Sequence, residues 1–397
     1  MHNIETLEIS AEDRARLRSL RHDRLLFFTN HPSTAEPPIV YQLGNMMGAR
    51  FKYMASRQVF DWWGGVVGQV ISNMGAFSVI AGIADRESLK AARETLAAPG
   101  GKLVLFPEGE PTSGENDSLM PFQPGAAQLS FWALEDARKV DPTADITVLS
   151  GFIKYIVSAD RARILETLTD SITRLEKSCH IEPGNRNLLR RYLHFGRVML
   201  EEAERTYKIP VASEKDFDYR VGRLRHVILD NLAERIQMTS YDRSADAISK
   251  LRQIWAILEM IEIGYPDVRL PKLTPAELEW AQNEIVKAFY FIVIRKDYLL
   301  EYPSAERFFE WLSRFEFYAS GKTARAKGGE PTPLPRKAHI FLNPPFKLSE
   351  YWSEDKRERK QNLEKLLKRL RDDLEEKLKA SLALSQPLFT PGDMGGI

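Results

Sequence analysis

Cysteine is almost absent from this chain: Cys179 is the only one in 397 residues. A single cysteine excludes an intrachain disulfide and any zinc site built on cysteine pairs, and it suits a reducing, cytoplasmic setting. An excess of charge of either sign is missing too. Lys and Arg total 56 against 55 Asp and Glu, a formal charge of +1, so no bulk basic field points to nucleic acid. The opening residues, Met1 to Thr6, lack the basic-then-apolar order of a secretory signal. A clean hydrophobic run of membrane-spanning length is also missing. The longest apolar stretch, Val59 to Ile83, is interrupted by Asp61, Gln69, Ser72 and Asn73 and carries five glycines, whereas spanning takes roughly 20 predominantly apolar residues. A buried helix followed by a buried strand accounts for it better. What remains is ordinary globular composition, 43% hydrophobic and 28% charged, apolar enough to argue against wholesale disorder. At about 150 residues per domain, the length predicts two or three domains, or one large domain with an insertion.

The first 155 residues read as alternating strands and helices. Leu25 to Phe28 is a short apolar run of strand length that ends in the polar pair Thr29-Asn30. A glycine-rich helix is expected over Asp61 to Ile71, and a strand over Ala76 to Ile80. Arg86 to Ala97 places Leu89, Ala92 and Leu96 on one helical face, and Ala98-Pro99-Gly100-Gly101 stops it. Lys102 to Phe106 is a compact buried strand, Gly125 to Val140 a helix, and Ile146 to Val157 another strand. Such alternation predicts an α/β fold with a mostly parallel sheet covered by helices on both faces. After residue 158 the pattern becomes helical, as in Ile164, Leu168, Ile172 and Leu175, and Thr274-Pro275-Ala276-Glu277 carries a helix-start signature. Ser320 to Lys337, rich in glycine, proline and basic residues, reads as a linker. Ala338 to Leu342 then looks like a returning strand, and Ser353 to Ala380 like a charged amphipathic helix. The boundaries that follow are 1–157 for the first part of an α/β core, 158–335 for a helical insertion and linker, 336–385 for the returning strand and final helix, and 386–397 for a flexible tail.

Two segments carry candidate chemistry. In Asn30-His31-Pro32-Ser33-Thr34-Ala35-Glu36-Pro37 a histidine follows a strand, with a carboxylate five positions later. A carboxylate that accepts from one ring nitrogen fixes the tautomer and raises basicity at the other. In Phe106-Pro107-Glu108-Gly109 a buried strand delivers a carboxylate and a flexible glycine to its C-terminal end, the edge where open α/β sheets bind ligands. Alone, the first is a spacing that also occurs by chance in many proteins, and the second also reads as a strand stop with a solvated acidic turn.

Together and in this order, the segments resemble the glycerolipid acyltransferases, whose best-known members are the lysophosphatidic acid acyltransferases. Asn30, His31, Ser33, Glu36 and Pro37 fit the family's first motif, Phe106 to Gly109 its third, and Phe122 with Gly125 the downstream Phe-x-x-Gly. Gly75 to Val79 is similar to the start of the second motif, and Ile153-Lys154-Tyr155 to the strand of the fourth. The resemblance spans about residues 20–155 and 338–380, and it implies a mixed, mostly parallel sheet flanked by helices, with residues 158–335 as a mainly helical insertion. The departures are Glu36 where the family usually has Asp, Ala81 at the arginine that grips the acceptor's phosphate, Ser150 at the fourth-motif proline, and Glu110 at the usual Thr.

The resemblance implies acyl transfer from acyl-CoA or acyl-carrier protein, as co-substrate, to the hydroxyl of a lysophospholipid or glycerolipid, with no other cofactor and no metal. His31 would be the general base and Glu36 its orienting partner. Asn30, Ser33, Phe106, Pro107, Glu108 and Gly109 would hold substrate, the last two at the acceptor headgroup. Either Arg86 or Lys154 takes over the phosphate from the missing arginine, or the acceptor is not a lysophosphatidate. The implied setting is peripheral, on the cytoplasmic membrane face, with no nucleic-acid partner. A catalytically degenerate lipid- or acyl-binding protein on the same fold is the alternative. Phe60, Trp62 and Trp63 either pack into the core, line an acyl tunnel or dip into lipid. The clusters Arg186, Arg190, Arg191, Arg197 and Arg220, Arg223, Arg225 are either salt-bridged helix faces or a surface for an acidic carrier or anionic lipid.

Overall fold

The computed structural model describes residues 3–109, 111, 116–210, 216–320 and 331–390. Two compact units divide the chain, one of residues 1–156 with 335–384 and one of residues 157–334 with 385–397. In the first unit, β1 (Ile4–Ile9), α1 (Ala11–Ser19), β2 (Leu25–Thr29), α2 (Glu36–Met47) and β3 (Lys52–Ser56) come in turn. They are followed by α3 (Arg57–Asp61), α4 (Val66–Met74), β4 (Ala76–Val79), α5 (Arg86–Ala97), β5 (Lys102–Leu105), α6 (Pro124–Val140) and β6 (Thr147–Val157). The second unit supplies α7 (Arg161–Ser178), α8 (Leu188–Thr206), α9 (Phe217–Arg235), α10 (Ala247–Glu262), α11 (Pro275–Val293), α12 (Lys296–Glu301) and α13 (Ala305–Ser320). The chain then returns to the first unit as β7 (Arg336–Leu342), β8 (Phe346–Lys347) and α14 (Lys356–Ser381).

Eight strands form one sheet in the order β1-β7-β6-β2-β5-β3-β4, with β8 antiparallel to β6. The pairs β1–β7, β2–β5, β2–β6, β3–β4 and β3–β5 are all parallel. Strand β2 is central, and all five of its residues are buried. Its side chains still alternate: Leu25 and Phe27 join Ile39, Val40 and Leu43 of α2 on one face. Leu26 and Phe28 join Leu96, Leu134 and Leu370, from α5, α6 and α14, on the other. Both faces are covered, which is why the run reads as continuously apolar rather than alternating. The returning strand takes its place between β1 and β6, so this side of the sheet is completed by residues that lie far apart in the chain.

Three expectations change. The helix expected over Asp61 to Ile71 is broken, because Trp63, Gly64 and Gly65 all have positive φ (50°, 64° and 91°). Consecutive left-handed residues cannot continue a right-handed helix, so α3 ends, one 3₁₀ turn spans Trp62–Gly65, and α4 starts afresh. Trp62 and Trp63 are exposed, which corrects the core-packing option for them. Residues 386–390, expected to be loose, are held in the second unit: Leu388 is buried and donates its N–H to the Pro303 carbonyl at 2.8 Å. Residues 391–397 of that tail, most of the expected linker (321–330), and Glu110 lie outside the described residues. In the helical unit, Arg191 pairs with Glu176 and buried Arg220 pairs with Glu204, so these two arginines of the clusters are internal cross-links between helices. No helix among the described residues is long and apolar enough to cross a membrane.

Candidate active site

The site forms where β2, β5 and β6, parallel neighbours, reach the same edge of the sheet. The chain leaves β2 through Asn30, whose side-chain amide imitates a strand pair. It donates from Nδ2 to the Ile153 carbonyl at 3.0 Å and accepts the Ile153 N–H at 2.8 Å. Asn116 does the same one step further along β6, with 3.0 Å to the Ile153 carbonyl and 2.6 Å from the Tyr155 N–H. The two asparagines thus pin β6 beside the loop that carries His31.

His31 and Glu36 meet: His31 Nδ1 lies 2.8 Å from Glu36 Oε2. Glu36 is the first residue of α2, with prolines in the first turn. The first turn of a helix is where the macrodipole favours a carboxylate and where proline costs nothing. Its carboxylate is fully buried and collects further donors. The Ser33 N–H and hydroxyl approach at 2.9 Å each, and the Tyr155 hydroxyl donates to Oε1. An ionised carboxylate has only acceptors to offer, so the histidine carries its proton on Nδ1 and keeps Nε2 as the basic nitrogen. Burial, then the charge of Glu36, pushes the Tyr155 phenol well above its ordinary range, which keeps it a donor. The Arg336 guanidinium lies 4.8 Å over the Tyr155 ring, and Phe106 stacks on the imidazole with centroids 4.2 Å apart. Ser33 also accepts the Ala35 N–H at 3.1 Å.

Glu108 is placed differently from a headgroup ligand. It is fully buried, and its two oxygens accept the backbone N–H groups of His31 at 2.8 Å and Met120 at 2.7 Å. The carboxylate therefore fastens the His31 loop to residues 116–120, and Arg371 of α14 holds that segment from outside through the carbonyls of Met120 (2.8 Å) and Leu119 (3.2 Å). Buried Pro107 accepts the Gln123 N–H at 2.7 Å. Gly109 has φ of +83°, a left-handed backbone that glycine adopts without strain.

Burial pushes the Glu108 carboxyl up to about 7, against the Met120 and His31 N–H groups and the charges of His31 and Arg371. An acid whose folded-state pKa is raised binds more protons folded than unfolded. Its contribution to stability is full below its ordinary value near 4.5 and is lost as pH rises through 7. The contribution is at most about 3 kcal/mol. Urea unfolding of the wild type against Glu108→Gln should show the wild type losing ground between pH 5 and pH 8. A pH-independent difference between the two would mean that Glu108 is ionised throughout.

Lys154 requires a correction. It is fully buried and ion-paired with Asp117, which is buried as well, so it is no free cation for a phosphate. Arg86 is exposed at the start of α5. It follows the turn that contains Ala81, which Asp85 closes by accepting the Ile80 N–H (3.1 Å) and the Ser88 N–H (3.2 Å). Ser150 bonds Asp373 of α14 at 2.7 Å, a contact that a proline there could not make. Sequence alone did not single out Asn116, Asp117, Met120, Arg336 or Arg371. None of these sits in a recognisable motif, and the arginines reach the site from the returning segment. Among the described residues no group of three or more His, Cys, Asp or Glu could hold a metal ion.

Residues 8–149 match the family model described as Acyltransferase. No curated protein and no solved structure matches the chain.

Proposed function

We propose, from the match of residues 8–149 to the family model described as Acyltransferase, that the protein moves a fatty acyl group from an acyl thioester, of CoA or acyl-carrier protein, to the hydroxyl of a lysophospholipid or glycerolipid. One observation carries this reading. The His31 side chain is 14% exposed while its partner Glu36 is 0% exposed, so the base is reachable and its orienting acid is sealed. His31 Nε2 removes the acceptor's hydroxyl proton as the oxygen attacks the thioester carbonyl. Glu36, held by Ser33 and Tyr155, steadies the imidazolium that forms. Collapse of the tetrahedral intermediate breaks the carbon–sulfur bond, and the proton on His31 passes to the departing thiolate. The release of free thiol from an acyl-CoA or an acyl-carrier protein, dependent on added acceptor, tests the reaction. An acyl- or lipid-binding protein on the same fold would bind these molecules and release none.

The acceptor follows from cations. Ala81 cannot grip a phosphate and Lys154 is committed to Asp117, which leaves exposed Arg86 as the nearest candidate along the chain. A charge-assisted contact of this kind is worth about 1.5–3 kcal/mol, roughly ten- to a hundredfold in affinity. Transfer to 1-acylglycerol-3-phosphate should fall by that factor in Arg86→Ala and rise in Ala81→Arg. If neither substitution changes the rate while a neutral or zwitterionic acceptor works well, the acceptor is not an anionic lysophosphatidate. With lipid substrates, the working place of the protein is a membrane surface, on its cytoplasmic face.

A further inference from the structure

Half of the large hydrophobic side chains exposed among the described residues fall between residues 62 and 70: Trp62 (41%), Trp63 (79%), Val66 (55%) and Val70 (53%). Single exposed apolar residues are normal, but a cluster marks an interaction surface. Local structure explains how the chain projects them. Trp63 sits in the left-handed region (φ 50°, ψ 45°), a conformation that a bulky side chain rarely takes and that tends to persist where function holds it. Gly68 of α4 lies so close to α3 that a Cβ there would be 2.4 Å from the Phe60 carbonyl oxygen, which seats that face of the helix against α3. Val66 and Val70, one turn apart, line the face left to solvent.

The position of this cluster in the sheet gives it meaning. Strand β3 runs parallel to β5, and β5 runs parallel to β2. The end of β3, from which Arg57 opens α3, therefore lies on the same sheet edge as His31. Two strand spacings, about 10 Å, separate β3 from β2. Arg57 and Arg86, the first residues of α3 and α5, are on that edge as well. Arg86 is exposed, and Arg57 pairs with exposed Asp61 at 2.9 Å, an ion pair too solvated to hold it firmly.

We propose that the β3–β4 crossover is a bilayer-docking wedge, with Trp62, Trp63, Val66 and Val70 entering the interfacial layer of a phospholipid membrane and Arg57 and Arg86 meeting its phosphates. Tryptophan suits that layer because its ring is apolar and its N–H stays wet, and the flanking arginines supply the complementary charge. Docked in this way, the protein presents the His31 edge to the membrane from which a lipid acceptor would come. The proposal deepens the acyl-transfer reading, but its test reads binding alone.

The test is flotation of the full-length chain with vesicles of phosphatidylcholine, or of phosphatidylcholine with phosphatidylglycerol, comparing wild type with Trp62→Ser/Trp63→Gly. Glycine at 63 accepts the left-handed backbone, so the variant should keep its fold, which circular dichroism checks. Vesicle affinity should fall at least tenfold in the variant, and brominated lipid should quench the wild-type tryptophan fluorescence. Wild type should prefer the anionic vesicles, and Arg57→Ala/Arg86→Ala should abolish that preference. Equal binding by wild type and the tryptophan variant, or no binding by wild type to either vesicle, overturns the wedge. A wild-type dimer that becomes monomeric in the tryptophan variant, seen by light scattering, would assign the patch to a second copy of the chain instead. Vesicle binding without acyl transfer would overturn only the catalytic reading.

Discussion

Acceptor-dependent thiol release should fall by about 10²- to 10⁴-fold in His31→Ala, the range expected when a positioned general base is removed. The loss should appear in kcat more than in KM, since the imidazole acts on the proton in flight and not on the acyl chain. Glu36→Gln should produce a large part of the same loss. The amide still accepts from Ser33 and from Tyr155, but it carries no charge to steady the imidazolium, and its NH2 end can turn the ring to the wrong tautomer. The fold should survive His31→Ala, because the loop is pinned through the His31 backbone N–H to Glu108 (2.8 Å) and through Asn30 to Ile153 (3.0 Å), contacts that alanine leaves intact. Unchanged circular dichroism with wild-type activity in His31→Ala would remove the enzymatic assignment.

The largest stability effect is expected at the Lys154–Asp117 pair, whose side chains are 0% and 1% exposed. Lys154→Met removes the ammonium paired with a carboxylate buried in the interior, which should cost about 3–5 kcal/mol. Lys154→Met/Asp117→Leu removes both charges and should recover most of that loss, because a buried ion pair is often no more stabilising than a well-packed apolar pair. Urea unfolding of wild type and the two variants measures both quantities. A single variant within about 1 kcal/mol of wild type, the usual span for a surface position, would show that the pair is hydrated and that Lys154 remains able to meet a ligand. Because Asp117 sits beside Asn116, which binds the β6 backbone, and shortly before Met120, which donates to Glu108, the single variant should also lower activity. The double variant should restore it.

These two expectations rest on different levels of information. The chain itself determined the alternation of β2, α5, β5, α6 and β6, because each is a compact periodic segment bounded by Pro, Gly or an acidic cap, as Asp85 caps α5 by accepting the Ser88 N–H. The chain also determined which histidine and which carboxylate to pair. Seven positions carry the chain from Thr29 at the end of β2 to Glu36 at the start of α2, five of them from His31, so local backbone alone brings His31 to Glu36. Other local elements stayed hidden. Strands β1 and β3 are only partly buried and carry polar residues between their apolar ones, so no apolar run announced them. The broken α3–α4 segment looked like one helix, since its glycines read as mere weakness until three positive φ values placed the tryptophans outside.

Only the tertiary structure decided what each charged residue at the site does. Glu108 looked like a ligand group because it follows the end of β5 in a motif, and Lys154 because it is a cation on the neighbouring strand β6. Their roles depend on partners that the chain supplies elsewhere: the N–H groups of His31 and Met120 for Glu108, and Asp117 for Lys154. Arg371 and Arg336 come back to the site from beyond the helical unit, and no spacing rule connects them to residue 120 or 155. Burial is the physical reason. A carboxylate or ammonium in water is a ligand in waiting, whereas the same group sealed from solvent must be satisfied by its neighbours, and which neighbours those are is a property of the fold.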